Sequence, residues 1–278
     1  MGRKRNFIIA TRVSIYYTTH YMPQQQTALI TGGTSGIGLA LAREFARRGY
    51  NLIIAARKPD ELAKVKLELE RQYKISVQTV SCDLSRTDGV RTISSELKNT
   101  DINVLVNNAG FGAKGSFAET SLDVELSMIQ LNIVALTSLT KLFLHGMIAR
   151  GSGIILHVAS TAAFEPGPFM AVYFATKAYV LSLSEALGEE LRGTGVTVTA
   201  LCPGPTQTGF AAAAQTLGRG VFSGQLHTAA EVARIGVGGA LQGKRVVITG
   251  AKNKALIFLT RLSPRAITAR VTRYMINK

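Results

Sequence analysis

The chain has 278 residues, 46% of them apolar, which is long enough for one large α/β domain with a core of its own. Its 27 glycines follow no period, which excludes a collagen-like or low-complexity chain; two cysteines, Cys82 and Cys202, cannot form a disulfide framework and suit a reducing compartment. The formal charge of +15 sits at the ends. Residues 1–26 carry four basic side chains and no acid, residues 232–278 carry ten and no acid, and the body between them has eighteen basic against seventeen acidic. With no zinc-ligand spacing and no alternation of arginine with aromatics, that distribution argues for interaction tails and against a nucleic-acid partner.

In chain order, residues 1–26 read as a disordered leader. Arg12 interrupts the apolar stretch, and neither a small-residue cleavage pattern nor an apolar span of about 18–20 residues is present there. Met22, just before the first strand, is an alternative start. Strands are expected at TALIT (27–31), NLIIAA (51–56), ISVQTV, INVLVN, GIILHVAS, VTVTALCPG and KRVVITG. Between them lie helical patterns in LALAREFARRG, DELAKVKLELERQY, SRTDGVRTISSELKN, a long stretch from 122 to 149, a stretch from 172 to 191, and AAEVARIGVGGAL. Strand and helix alternate with crossovers of ten residues or more. That order predicts an α/β fold: a doubly wound, parallel, seven-stranded Rossmann sheet spanning 27–250 as a single domain, followed by a basic helical extension over 251–278.

Between the first strand and the first helix runs Thr31-Gly32-Gly33-Thr34-Ser35-Gly36-Ile37-Gly38. Gly32 permits the tight turn, Gly36 lets backbone approach a pyrophosphate, and Gly38 allows close helix packing, with the helix N-terminus facing the phosphates. No Lys-Ser/Thr pair follows, so a P-loop is excluded. A carboxylate ending the second strand would hold a ribose 2′-hydroxyl; this chain has Ala55-Ala56-Arg57-Lys58 instead. A guanidinium there suits a 2′-phosphate, so NADP(H) is favoured over NAD(H). Asp83 ends the third strand and could accept from an adenine amino group, with Ser85 expected to cap the next helix.

Tyr173 and Lys177 lie four apart on one helix, so their side chains share a face. A phenol is a poor base at neutral pH unless a positive neighbour favours the phenolate, and Lys177 is placed to supply that charge. Ser160 ends the strand GIILHVAS, on the carboxyl side where open α/β sheets bind ligands. Asn132 falls inside the long helix, where asparagine has middling propensity and calls for a reason. His145, His157 and His227 have no ligand spacing, His157 reading as a packed residue, so no metal is expected.

These pieces, together with NNAG at 107–110, YFATK at 173–177 and PGPTQT at 203–208, resemble the short-chain dehydrogenase/reductase family, and more closely its NADP-dependent lipid- and steroid-type, bacterial-like members. The resemblance implies that Tyr173 is the acid/base, that Lys177 orients the nicotinamide ribose and lowers the tyrosine pKa, and that Ser160 holds the substrate carbonyl. It implies a water relay at Asn132, a supporting role beside the cofactor for Asn108, Ala109 and Gly110, and contact with the nicotinamide from Pro203, Gly204 and Thr208. The family's spacing of thirteen positions from serine to tyrosine is kept. A homodimer or homotetramer is likewise implied.

The substrate pocket is expected from Phe111 and Gly112, from Phe164, Pro166 and Phe169 in the loop 161–170, and from a lid over 208–228 containing Phe210. These residues favour a small apolar ketone, aldehyde or secondary alcohol, a place in lipid metabolism and a cytoplasmic location. A reductase of 3-oxoacyl thioesters on acyl carrier protein and a non-catalytic dinucleotide-binding interaction protein are the alternatives. In the extension, Pro264 starts a basic helix on which Ile267, Val271 and Tyr274 share one face. Packing of that helix on its own protein is favoured over peripheral membrane contact.

Overall fold

The computed structural model describes residues 25–209 and 226–277. Near-continuous apolar runs become central strands when both of their faces are covered, and that is what happens here. The strands are β1 (Thr27–Thr31), β2 (Asn51–Ala56), β3 (Val77–Ser81), β4 (Val104–Asn107), β5 (Gly153–Val158), β6 (Val196–Cys202), β7 (Thr206–Gln207), β8 (His227–Thr228) and β9 (Val246–Ile248). Seven of them form one parallel sheet in the order β3-β2-β1-β4-β5-β6-β9, while β7 and β8 make a separate two-stranded parallel ladder. The seven strands expected from the sequence are these seven.

The helices are α1 (Gly36–Ala46), α2 (Pro59–Tyr73), α3 (Gly89–Glu96), α4 (Leu122–Ile129), α5 (Leu136–Ala149), α6 (Ala171–Glu190), α7 (Ala229–Leu241), α8 (Ala251–Leu262) and α9 (Arg265–Asn277). Successive strand residues point to opposite faces, so Leu29 and Ile30 serve two different layers. On one face Leu41 and Phe45 of α1, Leu62 of α2 and Val237 of α7 pack on Ile30, Ile54 and Val106. On the other, Ile93 of α3 and Leu139 and Met147 of α5 pack on Leu29, Ile53, Leu105 and Ile155. Each fully buried side chain of this size stabilises the fold by about 1.5–3 kcal/mol.

Local chemistry sets the helix ends. α2 starts on Pro59 with Asp60 and Glu61 in its first turn, and stops where Lys74 takes the left-handed φ of 58°. α7 carries a capping box in which Thr228 and Glu231 exchange side-chain and backbone hydrogen bonds. Ser85 caps nothing. α3 begins at Gly89, behind Asp88, and the Asp83 carboxylate instead accepts from the Ser85 amide at 3.0 Å and hydroxyl at 2.6 Å. Aspartate makes such a turn readily with the residue two ahead, and it displaces the expected cap.

The long helical stretch is continuous over Leu122–Ala149, but Gln130–Ala135, between α4 and α5, is wound as a π-helix, and Asn132 lies in it. By length and composition alone this is the one helix among the described residues that could cross a membrane; here Met128, Leu139 and Met147 are buried in the domain. The chain order reverses between β1 and β4, which opens a cleft beyond their carboxyl ends. The extension packs beside that cleft, though not by the face the sequence suggests. α9 buries Thr268, Thr272 and Ile276, leaving Ile267, Val271 and Tyr274 exposed.

Candidate active site

The cleft has a volume of about 1830 Å³ and runs from the turn after β1, past Ser160, Tyr173 and Lys177, to an apolar end walled by α8 and α9. Ligand pockets are commonly about 300–1,000 Å³, so this one has room for a dinucleotide and a second molecule together.

At its polar end the three glycines do what the spacing suggests. Gly32 holds φ at +65°, and its amide donates to Ala55 O across the sheet at 2.7 Å. Gly36, at φ +53°, faces the cleft, and a Cβ there would touch only Thr208, at 3.5 Å. A Cβ on Gly38 would collide with the Gly32 carbonyl, so only glycine lets α1 start this close to the turn. Asn108 ties the turn to β4: its side-chain amide donates to Thr31 O at 2.9 Å and Gly32 O at 3.2 Å, while the Thr31 hydroxyl accepts from the amides of Asn108 and Ala109. Thr34, Ser35, Ile37, Arg57, Asp83, Gly110, Pro203, Gly204 and Thr208 also line the cleft. This cradle fits a dinucleotide: amides at a helix N-terminus, no side chain at Gly36, and a guanidinium at the end of β2. Lys58 is paired with Glu61 at 2.8 Å, which leaves Arg57 as the cation of that corner. Burial works to raise the Asp83 carboxyl, but the Ser85 hydrogen bonds together with the charges of Arg57 and Arg86 hold it below the usual carboxylate range.

At the centre, α6 carries Tyr173 and Lys177 one turn apart, both buried. The Tyr173 phenol is hydrogen-bonded with the Ser160 hydroxyl, and Ser160 also accepts from the Ala162 amide at 3.1 Å. Lys177 donates to Val158 O at 2.8 Å, and its Nζ lies 5.9 Å from the centre of the Tyr173 ring. Burial pushes the phenol up to about 12 and the ammonium down to about 8. Desolvation of the phenolate is the larger influence on Tyr173, opposed by its hydrogen bond with Ser160.

Asn132 does not line the cleft. Its side chain donates to Phe111 O and to the Thr176 hydroxyl, both at 3.0 Å, and accepts from the Phe111 amide at 3.2 Å. Those three bonds lock the loop after β4 to α6, so the side chain positions the loop. His157 is buried and pushed down to about 3 by desolvation, its two ring nitrogens engaged by Thr140 and Ser184, as expected of a packed residue. No group of three metal-binding side chains occurs among the described residues.

At the apolar end Phe111 and Phe164 line the cleft as expected. Phe169 does not. Held at φ +66°, it faces a separate hollow with Phe117 and Arg270, and the Arg273 guanidinium sits 5.8 Å from its ring centre. Phe210 lies outside the described residues, as does most of the expected lid. Sequence reasoning missed Lys114, Glu165, Met170, Phe174 and the inner edges of α8 and α9, all of which line the cleft. Glu165 had a signal, being the one charge in TAAFEPGPFM; the helices had none, because their buried residues, Ile257, Thr268, Thr272 and Ile276, mix apolar with polar and make no continuous apolar stripe.

A family model described as short chain dehydrogenase matches residues 26–217. The chain belongs to that family. This short-chain dehydrogenase is similar to the very-long-chain 3-oxoacyl-CoA reductases of Bos taurus, at 35% identity over 182 residues, and Homo sapiens, at 34% over 182. Each match covers 63% of this chain and 58% of the relative, so the chain matches little more than half the length of these curated proteins. Among solved structures it is similar to a short-chain dehydrogenase from Sphingobium yanoikuyae in complex with NADPH, with a TM-score of 0.76 and 30% identity over 85% of this chain and 94% of that one. It is also similar to the bulky-bulky ketone specific alcohol dehydrogenase from Comamonas testosteroni, with a TM-score of 0.73 and 29% identity over 85% and 92%.

Proposed function

We propose that this short-chain dehydrogenase is an NADP(H)-dependent oxidoreductase that interconverts a long or bulky apolar ketone or aldehyde with the corresponding alcohol. One observation carries the reading. The Ser160–Tyr173 hydroxyl pair and Lys177 meet in the middle of a single cleft, one end of which is a dinucleotide cradle with Arg57 and the other an apolar wall. A bound nicotinamide supplies the hydride.

The chain supplies the rest. Ser160 donates to the carbonyl oxygen and polarises it. Tyr173, protonated at neutral pH because burial raises its pKa, gives its proton to that oxygen as negative charge develops there. The Lys177 ammonium, 5.9 Å from the ring, favours the phenolate left behind, and Asn132 keeps the 108–111 loop against α6.

The observations also support 3-oxoacyl thioesters as substrates, since the named relatives reduce 3-oxoacyl-CoA and the cleft's apolar end could take an acyl chain. The exposed Leu122, Leu126, Val134 and Leu142 along the α4–α5 helix support a homodimer or homotetramer. A cytoplasmic setting is supported by Cys82 and Cys202, both free and buried.

Titration with NADPH and NADH in parallel, followed by nicotinamide fluorescence, tests the cofactor. Losing the guanidinium in Arg57→Ala removes a charge-assisted hydrogen bond worth about 1.5–3 kcal/mol, so NADPH should bind about ten- to a hundredfold more weakly and NADH about as before. Turnover with long-chain ketones against 3-oxoacyl thioesters then separates the two substrate readings.

A further inference from the structure

Helix α8 buries Ile257, with Asn253 and Thr260 half-buried beside it. At helical periodicity the opposite arc carries Phe258, Leu262, Leu259 and Leu256, with Phe258 62% and Leu262 70% exposed. α9 repeats the pattern, with Thr268, Thr272 and Ile276 inward and Ile267, Val271 and Tyr274 outward. The two helices therefore present apolar stripes to the outside, while their buried faces mix polar side chains with Ile257 and Ile276. Exposed apolar surface on this scale marks a contact with something else.

Charge says with what. Arg261 and Arg273 turn toward Phe164 and Phe169, but Lys252, Lys254, Arg265 and Arg270 are exposed, and no ion pair among the described residues holds them. No acid occurs from 232 to the end of the sequence. In a two-fold dimer the same patch would meet itself, setting uncompensated cations against cations. The exposed face of the α4–α5 helix differs, because the exposed Asp123 accompanies its leucines. An apolar stripe flanked by cations is instead the pattern of a helix lying in the headgroup region of an anionic bilayer. The same two helices also wall the cleft, through Leu256 and Leu259 of α8 and Met275 of α9.

We propose that the α8–α9 face docks on an anionic lipid surface and sets the apolar end of the cleft against it, so that substrate enters from the lipid. The entry route rests on the apolar-substrate reading above; the docking does not.

Flotation of the full chain with vesicles of phosphatidylcholine alone, or mixed with phosphatidylserine, tests it. Binding is expected only to the mixed vesicles, and to be lost in high salt. A cation at such a surface is worth about fivefold in partition, so Lys254→Gln with Arg270→Gln should weaken binding about 25-fold. Phe258→Glu with Leu262→Glu should abolish it, and neither side chain lines the cleft. No binding to either vesicle, or equal binding to both, would overturn the proposal, as would a Phe258/Leu262 variant that still floats but falls apart from an oligomer. NADPH titration and reduction of a water-soluble ketone on the same preparations read the enzyme separately. Their loss with flotation intact sinks the functional reading alone, and the converse sinks docking alone.

Discussion

Tyr173 and Lys177 are moved in opposite directions by the same cause, desolvation, the phenol to about 12 and the ammonium to about 8. Tyr173 thus keeps its proton across the neutral range, while Lys177 loses its charge as pH rises through about 8. The rate of carbonyl reduction should fall with that inflection in a pH profile, and Lys177→Met, already slow, should show no such inflection. Tyr173→Phe keeps the buried ring and removes the proton donor, so turnover should drop about 10²–10⁴-fold while NADPH still binds. His157 carries a stability prediction. Its folded value, about 3, lies below the ordinary 6.5, so the unfolded chain binds the extra proton between those limits. Stability should therefore rise with pH across that window, and be lost as pH is lowered through it, by up to about 1.4 kcal/mol per unit, and His157→Gln should flatten the slope in acid denaturation. At this scale the sequence was most legible, because Gly32, Gly36 and Gly38 are fixed by sterics and Tyr173 and Lys177 by helix geometry. Phe169 was not, since its left-handed backbone turns the ring out of the cleft, and nothing local announces that for a phenylalanine.

Strands and helices were legible wherever burial has a period, and less so where a side chain competes with the backbone. Asp83 took Ser85 for a turn of its own and shortened α3; the π-helical winding around Asn132 left no mark in the composition. Lys74 closes α2 in a conformation that glycine adopts without strain, so Lys74→Gly should raise stability by about 0.5–1 kcal/mol in urea unfolding. α9 was misread because its hydroxyls face inward. Thr268 and Thr272 bond to carbonyls within their own region of chain, at Pro264 and Thr268, and so can be buried without loss. Lys114 reaches across to donate to Ile276 O at 2.8 Å, fastening the far end of that helix over the cleft. Truncation after Ser263 should therefore raise KM for a long apolar ketone several-fold and change KM for a short one little, as steady-state kinetics would show.

For the molecule as a whole, the charge asymmetry read from the sequence has a spatial counterpart. The nearly neutral body carries an acid-containing apolar face on the α4–α5 helix, and the basic extension carries an acid-free one on α8 and α9. If the first joins copies of the chain, Leu126→Asp with Leu142→Asp should yield monomers in light scattering with NADPH binding retained. The sequence could rank neither face, because a stripe of leucines looks the same whether another helix, a second copy or a lipid is to cover it.

The short ladder of β7 and β8 pairs Thr206 with His227 and Gln207 with Thr228, so the two ends of the connection from β7 to β8 are held at adjacent points of the domain. A connection anchored in this way is open to a change in length. Doubling the length of a loop adds only about 0.6 kcal/mol of closure entropy, so an insertion between these two points should leave the sheet folded and Tyr173 in place.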